Sequence, residues 1–278
     1  MTHSDQLALD KKDIDTILVL DFGSQYTQLI ARRIRELDVF SVILPWDVSK
    51  ERIATLNPTG IILSGGPESV TNNNTPRIPK IIFDLEIPIL GICYGMQTLA
   101  EQFGGQVTAS KTKEFGHTSI TIEAANTLFD GFDTGSSIDV WMSHGDHVSS
   151  LPDQFHLIAS TPSAPIAAMA HTEKPIYALQ FHPEVTHTKE GDIVLQNFIF
   201  KICNCQAQWK MHNLIEQRIL DIKERVGDSK VLLGLSGGVD SSVTAMLLDR
   251  AIGKNLICMF VDNGLLRYNV AEEVEDLF

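Results

Sequence analysis

The chain has 278 residues, of which 22 are basic and 35 acidic, so its formal net charge is −13. At about 150 residues per domain this length predicts roughly two domains, and the ordinary content of hydrophobic and charged residues argues against disorder, fibrous repeats and a coiled coil. The acidic balance argues against nucleic acid or an anionic membrane surface as a partner, and the longest apolar run, Leu256 to Val261, is far shorter than a membrane span.

The first 15 residues are polar, and after them short apolar runs alternate with helical patterns up to residue 207. Such alternation is typical of an α/β domain with a mixed, mostly parallel open sheet flanked by helices. Strands are predicted at residues 16–20, 41–44, 60–63, 88–92, 118–122, 139–142 and 176–181. Helices are predicted at residues 26–37, 96–103 and 194–202. We expect one domain over residues 16–207, preceded by a polar tail at residues 1–15.

A second, shorter α/β pattern occupies residues 208–278. Helices are predicted at residues 214–226 and 242–252, and strands at residues 230–235 and 256–261. Two parallel strands with their helices cannot cover both faces of such a sheet, which normally needs several more strands. We therefore expect an incomplete domain, cut short at Phe278, that is loosely packed, domain-swapped or supported by a neighbour.

Four cysteines are present, and they show neither CxxC spacing nor a dense disulfide pattern. The chain also begins without the apolar stretch of a secretory signal. Both features favour a reducing, cytoplasmic environment. Cys203 and Cys205 lack metal-ligand spacing and are predicted to be packing residues at a helix end or surface thiols. His117, His147 and His187 are assigned no role.

Cys93 lies in a Gly91-x-Cys93-x-Gly95 turn between a predicted strand and a predicted helix. Glycines on both sides permit a strained backbone and the close approach of neighbouring strands, and the helix dipole favours the nucleophilic thiolate. A lone cysteine is more often a small buried packing residue. The segment His182-Pro183-Glu184 favours a nucleophilic role for Cys93 over a packing role, because residues two apart in an extended segment point the same way. Glu184 can then hold the imidazole while His182 faces Cys93.

A glycine loop at Gly65-Gly66 follows another strand end. Its backbone N–H groups, together with that of Tyr94, can hold the oxyanion of a tetrahedral intermediate. Three segments in this order resemble the class I (triad) glutamine amidotransferases: Leu63-Ser64-Gly65-Gly66-Pro67, Gly91-Ile92-Cys93-Tyr94-Gly95-Met96-Gln97 and Gln180-Phe181-His182-Pro183-Glu184. The resemblance covers about residues 16–205.

This resemblance implies a glutaminase. Cys93 would attack the side-chain amide of glutamine, His182 would donate a proton to the leaving ammonia, Glu184 would orient His182, and water would hydrolyse the thioester to glutamate. Gly66 and Tyr94 would supply the oxyanion-hole N–H groups, and no cofactor is implied for this half. Glutamine recognition is assigned by the same resemblance to Gln97, Ser143, His144, Gly145 and Asp146, of which Asp146 can equally be a loop cap.

The segment Ser236-Gly237-Gly238-Val239-Asp240-Ser241-Ser242 connects a predicted strand to a predicted helix, where N–H groups, hydroxyls and the helix dipole can bind phosphate. The alternative is an ordinary Gly-rich turn with a serine N-cap. The segment is neither a Walker A loop nor a GxGxxG fingerprint. It resembles the SGGxDS loop of the ATP pyrophosphatases, which implies an adenine-nucleotide alpha-hydrolase-like fold, ATP with Mg²⁺, a candidate metal contact at Asp240, and Val261 near the adenosine.

The order of these motifs, with Asp262-Asn263-Gly264-Leu265-Leu266-Arg267 after them, resembles the glutamine-dependent synthetases that aminate xanthosine monophosphate (XMP). In that family ATP adenylates XMP, ammonia from the cysteine site displaces AMP, and a C-terminal domain not found in this sequence forms a homodimer. Two alternatives remain open. The glutaminase can serve another ATP-dependent amidation, such as NAD or asparagine synthesis, or the chain is an inactive binding fragment.

Overall fold

The computed structural model of the protein describes residues 14–262, 264 and 269–277. The predicted tail lies outside these residues up to residue 13, as do Asn263 and residues 265–267 of the last motif. The chain divides into two compact units, Met1–Trp209 and Lys210–Phe278. Each unit has its own sheet and is described by itself.

Short strands alternate with helices in the first half of the first unit, and longer strands follow. The strands are β1 (Thr16–Asp21), β2 (Phe40–Pro45), β3 (Gly60–Leu63), β4 (Ile89–Ile92), β5 (Gln106–Ile122), β6 (Ser137–Ser150), β7 (Phe155–Ser160), β8 (Ala168–His171) and β9 (Ile176–Leu179). The helices are α1 (Thr27–Glu36), α2 (Lys50–Leu56), α3 (Ile81–Asp84), α4 (Tyr94–Gln102) and α5 (Gly191–Gln196), which continues into a π-helical segment at Asn197–Ile202.

Within the described residues these strands form one nine-stranded sheet in the order β2-β1-β3-β4-β9-β8-β7-β5-β6. Neighbours from β2 to β9 pair in parallel, whereas β8, β7, β5 and β6 extend the sheet through antiparallel pairs. The predicted α/β class with a mixed sheet is confirmed. The short strands predicted at 118–122 and 139–142 are parts of the long hairpin β5–β6, whose solvent-facing polar residues resemble a loop in sequence.

The central strands carry unbroken apolar runs because helices cover both faces of the sheet. In β1, Ile17 and Val19 pack into one apolar cluster, whereas Leu18 and Leu20 pack into a second. All four side chains are fully buried. Since side chains alternate across a strand, the two clusters lie on opposite faces of the sheet. This double packing fixes the ends of the parallel strands, from which the site is built.

The carboxyl ends of β1, β3, β4 and β9 meet at one edge of the sheet. The Phe22 N–H, just after β1, donates to the Ser64 hydroxyl after β3 at 3.0 Å. The Gly95 N–H donates to the Ser64 carbonyl at 3.1 Å, and the Cys93 N–H donates to the Leu179 carbonyl at 2.7 Å. These bonds gather the loops that follow four strands, which is where open α/β sheets usually bind ligands.

The second unit contains a two-stranded parallel sheet within the described residues. Its elements are α6 (Met211–Val226), β10 (Val231–Leu235), α7 (Val239–Ile252), a 3₁₀ turn (Gly253–Asn255), β11 (Leu256–Phe260) and α8 (Val270–Leu277). Several apolar side chains are exposed, among them Leu232 on β10 at 61% and Met259 on β11 at 51%. This exposure agrees with the expected shortage of sheet partners.

Two helices that bear on the candidate sites begin earlier than predicted. Helix α4 starts at Tyr94 because Cys93 itself is the residue before its first turn, and α7 starts at Val239 because the extended Gly238 precedes it. Val239 to Ser242 therefore lie on the first turn of a helix rather than in a loop. Among the described helices, none has both the length and the apolar composition needed to cross a membrane.

Candidate active site

Cys93 occupies the sharp turn between β4 and α4. Its backbone has φ 52° and ψ −103°, a conformation with positive φ that non-glycine residues rarely adopt. The strained backbone is that of Cys93 itself, since neither Gly91 nor Gly95 has a positive φ. The glycines allow close packing instead, because a Cβ on Gly95 would lie 2.5 Å from the Leu63 carbonyl oxygen.

His182 and Glu184 lie beside this cysteine. His182 Nδ1 is 2.7 Å from Glu184 Oε1, and both side chains are buried. The same ring lies close enough to the Cys93 side chain for the sulfur to influence its pKa. A Cβ on Gly65 would lie 3.2 Å from His182 Cε1 and 3.7 Å from Cys93 Cβ, which shows how closely the two groups converge. The structure thus brings the three predicted residues into one chain of contacts.

The surroundings of His182 favour its charged form. Burial by itself opposes protonation, but the Glu184 carboxylate and the Cys93 sulfur outweigh it and raise the pKa of His182 well above its ordinary value. An imidazolium can pair with a thiolate and afterwards release its proton to a leaving group. The arrangement is therefore suited to nucleophilic attack by sulfur followed by proton donation from the same ring.

Contacts that the sequence did not indicate hold the His182-Pro183-Glu184 segment in place. The His182 N–H donates to the Trp141 carbonyl at 3.1 Å. The Thr188 hydroxyl donates to the His182 carbonyl at 2.7 Å and accepts from the Trp141 N–H at 3.0 Å. Arg33 Nε donates to the Glu184 carbonyl at 3.0 Å. Arg33 lies 151 positions from Glu184, so no local pattern could have revealed this contact.

A cavity of about 570 Å³ opens beside Cys93 and His182. Its walls include Gly66, Gln97 and residues 143–146, so the predicted glutamine-binding residues all border it. Tyr94 differs, because its side chain points away and its hydroxyl donates to the Pro76 carbonyl at 2.7 Å. Its backbone N–H belongs to the first turn of α4, where helix geometry leaves such groups without an intrahelical partner.

Two of the predicted glutamine-binding side chains support the cavity wall. The Gln97 amide donates to the Asp146 backbone carbonyl at 2.8 Å. His144 Nε2 is 3.1 Å from Glu114 Oε2, without the alignment of a hydrogen bond. Burial lowers the pKa of His144, and the attraction of the Glu114 carboxylate does not offset it. Gln97 and His144 therefore tie the β5–β6 hairpin together and to α4.

Two other cysteines, and two of the histidines that were assigned no role, lie in ordinary structural environments. Cys203 and Cys205 are buried, which selects the packing alternative. The His187 ring stacks on Trp141 with ring centres 4.3 Å apart. His117 pairs with the Asp139 carboxylate at 3.2 Å on the exposed hairpin.

In the second unit, the Ser236-to-Ser242 segment forms a tight turn at the end of β10. Ser236 and Ser241 hydroxyls lie 3.1 Å apart, and the Ser241 and Ser242 hydroxyls donate to the Gly238 carbonyl at 3.0 and 3.1 Å. Gly237 has φ 74°, which a side chain would strain. Every residue of this segment is exposed or half-exposed at the start of α7, so the turn is open to solvent.

The strand pairing places the second predicted nucleotide contact at the same edge. Leu235 of β10 is in register with Phe260 of β11, so the turn at Ser236 and the exposed Val261 follow adjacent strand ends. The residues that the structure describes contain no group of three His, Cys, Asp or Glu side chains placed to hold a metal ion. Asp240 is a single carboxylate in the first turn of α7.

The fold and the cysteine site together define a class of protein. The family model for class I glutamine amidotransferases matches residues 18–202. The chain belongs to this family. A second family model, NAD synthase, matches residues 211–263, which lie in the second unit.

Individual relatives are more specific. The chain is 55% identical over 275 residues to the GMP synthase (glutamine-hydrolyzing) of Hamiltonella defensa, covering 96% of this chain and 52% of the relative. It is 57% identical over 267 residues to the enzyme of the same name from Pasteurella multocida, covering 94% of this chain and 51% of the relative. The chain thus spans about half the length of these curated relatives.

One crystal structure is also similar to this chain. It is from Thermoplasma acidophilum, and its protein is described as a candidate GMP synthase subunit. The TM-score is 0.61 at 35% identity, and the match covers 73% of this chain and 98% of that one.

Proposed function

We propose that the first unit hydrolyses glutamine through a thioester on Cys93. The observation that carries the proposal is the contact chain from Cys93 through His182 to Glu184 beside a cavity. The sulfur attacks the side-chain amide carbon, and the N–H groups of Gly66 and Tyr94 receive the oxyanion. His182 gives a proton to the departing ammonia, and water then cleaves the thioester to glutamate.

We further propose that the intact enzyme is a GMP synthase. It would convert XMP, ATP, glutamine and water to GMP, AMP, pyrophosphate and glutamate. Identity to GMP synthases extends over both units, which supports this assignment above another amidation. The Ser236-to-Ser242 turn would grip the pyrophosphate of ATP, with Mg²⁺ entering as part of that substrate near Asp240 and the adenosine near Val261. A cytoplasmic homodimer is part of the same proposal.

The glutaminase proposal is tested by ammonia release from glutamine. Cys93→Ala should reduce the rate to background, because the variant lacks the sulfur that forms the thioester. Cys258→Ala is the matched control, since Cys258 is an exposed thiol in the second unit. If Cys93→Ala releases ammonia as fast as the unaltered chain does, Cys93 is not the nucleophile. Absence of ammonia release from the unaltered chain would favour an inactive binding fragment.

The nucleotide proposal is tested at Ser241, using inorganic pyrophosphate with Mg²⁺ as the probe in calorimetric titration. Ser241→Ala should weaken binding, because it removes a hydroxyl from the turn. Thr244→Val is the control, since the Thr244 hydroxyl also bonds to a helix carbonyl, at 2.8 Å from the Asp240 oxygen, but lies one turn further along α7. If Ser241→Ala binds pyrophosphate as tightly as Thr244→Val does, the turn is not the pyrophosphate site.

The acceptor is tested by product analysis of the full-length synthetase with glutamine and ATP. XMP should be converted to GMP. Amidation of a different acceptor, such as a dinucleotide or aspartate, with XMP unchanged would place the glutaminase in another synthetase.

A further inference from the structure

Gln180 brings an amide group to the sulfur of Cys93. It lies directly after β9, its backbone N–H donates to the Ala167 carbonyl at 2.8 Å, and its side chain is completely buried. Gln180 Nε2 is 3.7 Å from Cys93 Sγ, within hydrogen-bond range for sulfur. Gln180 and His182 are two positions apart after β9, and both buried side chains lie beside Cys93.

The sulfur also contacts a backbone carbonyl, which favours the neutral thiol rather than the thiolate. The Ser143 carbonyl oxygen lies 3.6 Å from Cys93 Sγ and accepts a hydrogen bond from the neutral thiol. A carbonyl oxygen cannot donate, so this contact disfavours the thiolate. The Gln180 N–H, in contrast, is a donor, and a donor stabilises the charged form of an acceptor. The Gln180 contact is buried, so water screens it little, whereas the Ser143 contact is partly buried.

We propose that Gln180 is a further catalytic residue, whose amide N–H donates to the Cys93 sulfur and stabilises the thiolate that attacks glutamine. When the S–H bond breaks, its proton passes to the His182 ring, and the Gln180 hydrogen bond strengthens as the negative charge forms on sulfur. This inference rests on the proposed role of Cys93 as nucleophile and adds a group to it.

The orientation of the Gln180 amide decides whether it favours or disfavours the thiolate of Cys93. Gln180 Oε1 is buried and has no hydrogen-bond partner among the described residues. Reversing the amide would place this oxygen against the sulfur, where it would accept from the thiol and disfavour the thiolate. Removing the amide must therefore make the thiolate harder to form in the first orientation and easier to form in the reversed one.

The experiment is the pH dependence of iodoacetamide alkylation, measured by mass spectrometry on the Cys93 peptide of the full chain. Gln180→Met keeps the length and volume of the side chain and removes the donor. The pH midpoint of alkylation should move upward, and the rate near neutral pH should fall roughly tenfold, as expected for a hydrogen bond to a charged group. Gln154→Met is the control, because Gln154 is exposed and lies outside the cavity.

If Gln180→Met does not fold, Gln180→Glu provides the same test with a side chain of nearly identical shape. Its carboxylate removes the donor and adds a negative charge, so the upward shift should be larger. An unchanged or lower midpoint in the folded variant overturns the inference. Loss of ammonia release in Cys93→Ala together with that result leaves the glutaminase proposal intact, whereas retained release in Cys93→Ala overturns both.

Discussion

The Thr188 hydroxyl donates a 2.7 Å hydrogen bond to the backbone carbonyl of His182. Because the same hydroxyl accepts from the Trp141 N–H at 3.0 Å, it bridges the segment carrying the candidate base to strand β6. Thr188 is itself buried. The position of the imidazole therefore depends on a side chain that does not touch the cavity.

Replacing Thr188 by Val should destabilise the first unit and slow ammonia release. Valine matches threonine in shape but leaves a buried carbonyl and a partly buried N–H without this partner, at a cost of about 1–3 kcal/mol. Urea unfolding measures the free energy, and glutaminase assays give kcat and KM. Thr188→Ser keeps the hydroxyl and should restore most of kcat. If Val and Ser variants lose kcat equally, the hydroxyl does not position His182.

Replacing Glu184 by Gln should move the alkaline limb of the kcat profile to lower pH. The carboxylate helps to raise the pKa of His182, so its neutralisation lowers that pKa and the ring loses its proton at a lower pH. Since the protonated ring is the proposed donor to ammonia, activity should decline earlier as pH rises. The measurement is kcat for ammonia release across the neutral and alkaline range. A limb that stays in place would mean that His182 is not the proton donor.

Replacing Gly191 by Ala should disturb the His182-Pro183-Glu184 turn. A Cβ on Gly191 would clash with the Pro183 carbonyl oxygen, so the turn or the start of α5 must shift. Overpacking of this kind costs about 1–3 kcal/mol and should also lower kcat. Thermal unfolding and ammonia release are the two measurements. Gly234→Ala is the control, because nothing lies within 4 Å of its Cβ position. Similar behaviour of the two variants would contradict this packing.

Native-state alkylation should separate the cysteines by environment. Burial, with the neighbouring Cys205, raises the pKa of Cys203 well above its ordinary value, so little of its thiolate forms near neutral pH. Cys258 is exposed. Pulsed alkylation with mass spectrometry should label Cys258 in the folded chain and Cys203 only after unfolding. Labelling of Cys203 in the native state at the rate of Cys258 would show that its burial is not maintained.

The parts of the fold with a strong apolar period were predictable. Buried strands such as β1 and β3 follow directly from their continuous apolar runs, because both faces of each strand are covered. The hairpin β5–β6 was not predictable, since it has one solvated face and a register irregularity between Ala109 and Glu114. The start of α7 was missed because its first turn is made of small and polar residues rather than an apolar stripe.

The candidate site likewise has residues that motifs predict and residues that only the folded chain reveals. Cys93, His182 and Glu184 stand in short segments with distinctive neighbours, so their association could be predicted from motifs. Gln97 was assigned to glutamine, yet its amide bonds to a backbone carbonyl, a choice that depends on the position of the hairpin. Arg33 and Thr188 act through carbonyl groups, which carry no sequence signature, and only the folded chain reveals them.

The pairing of β4 with β9 makes the distance between Cys93 and His182 insensitive to insertions elsewhere in the chain. Nucleophile and base follow neighbouring strands whose backbones are joined by the bond from the Cys93 N–H to the Leu179 carbonyl. Their separation is consequently governed by the inter-strand repeat, about 4.8 Å, and not by the length of the intervening polypeptide. Insertions at the exposed residues 133–135, in the loop that joins β5 to β6, should leave the reacting atoms in register and offer a location for grafted peptides or reporter tags.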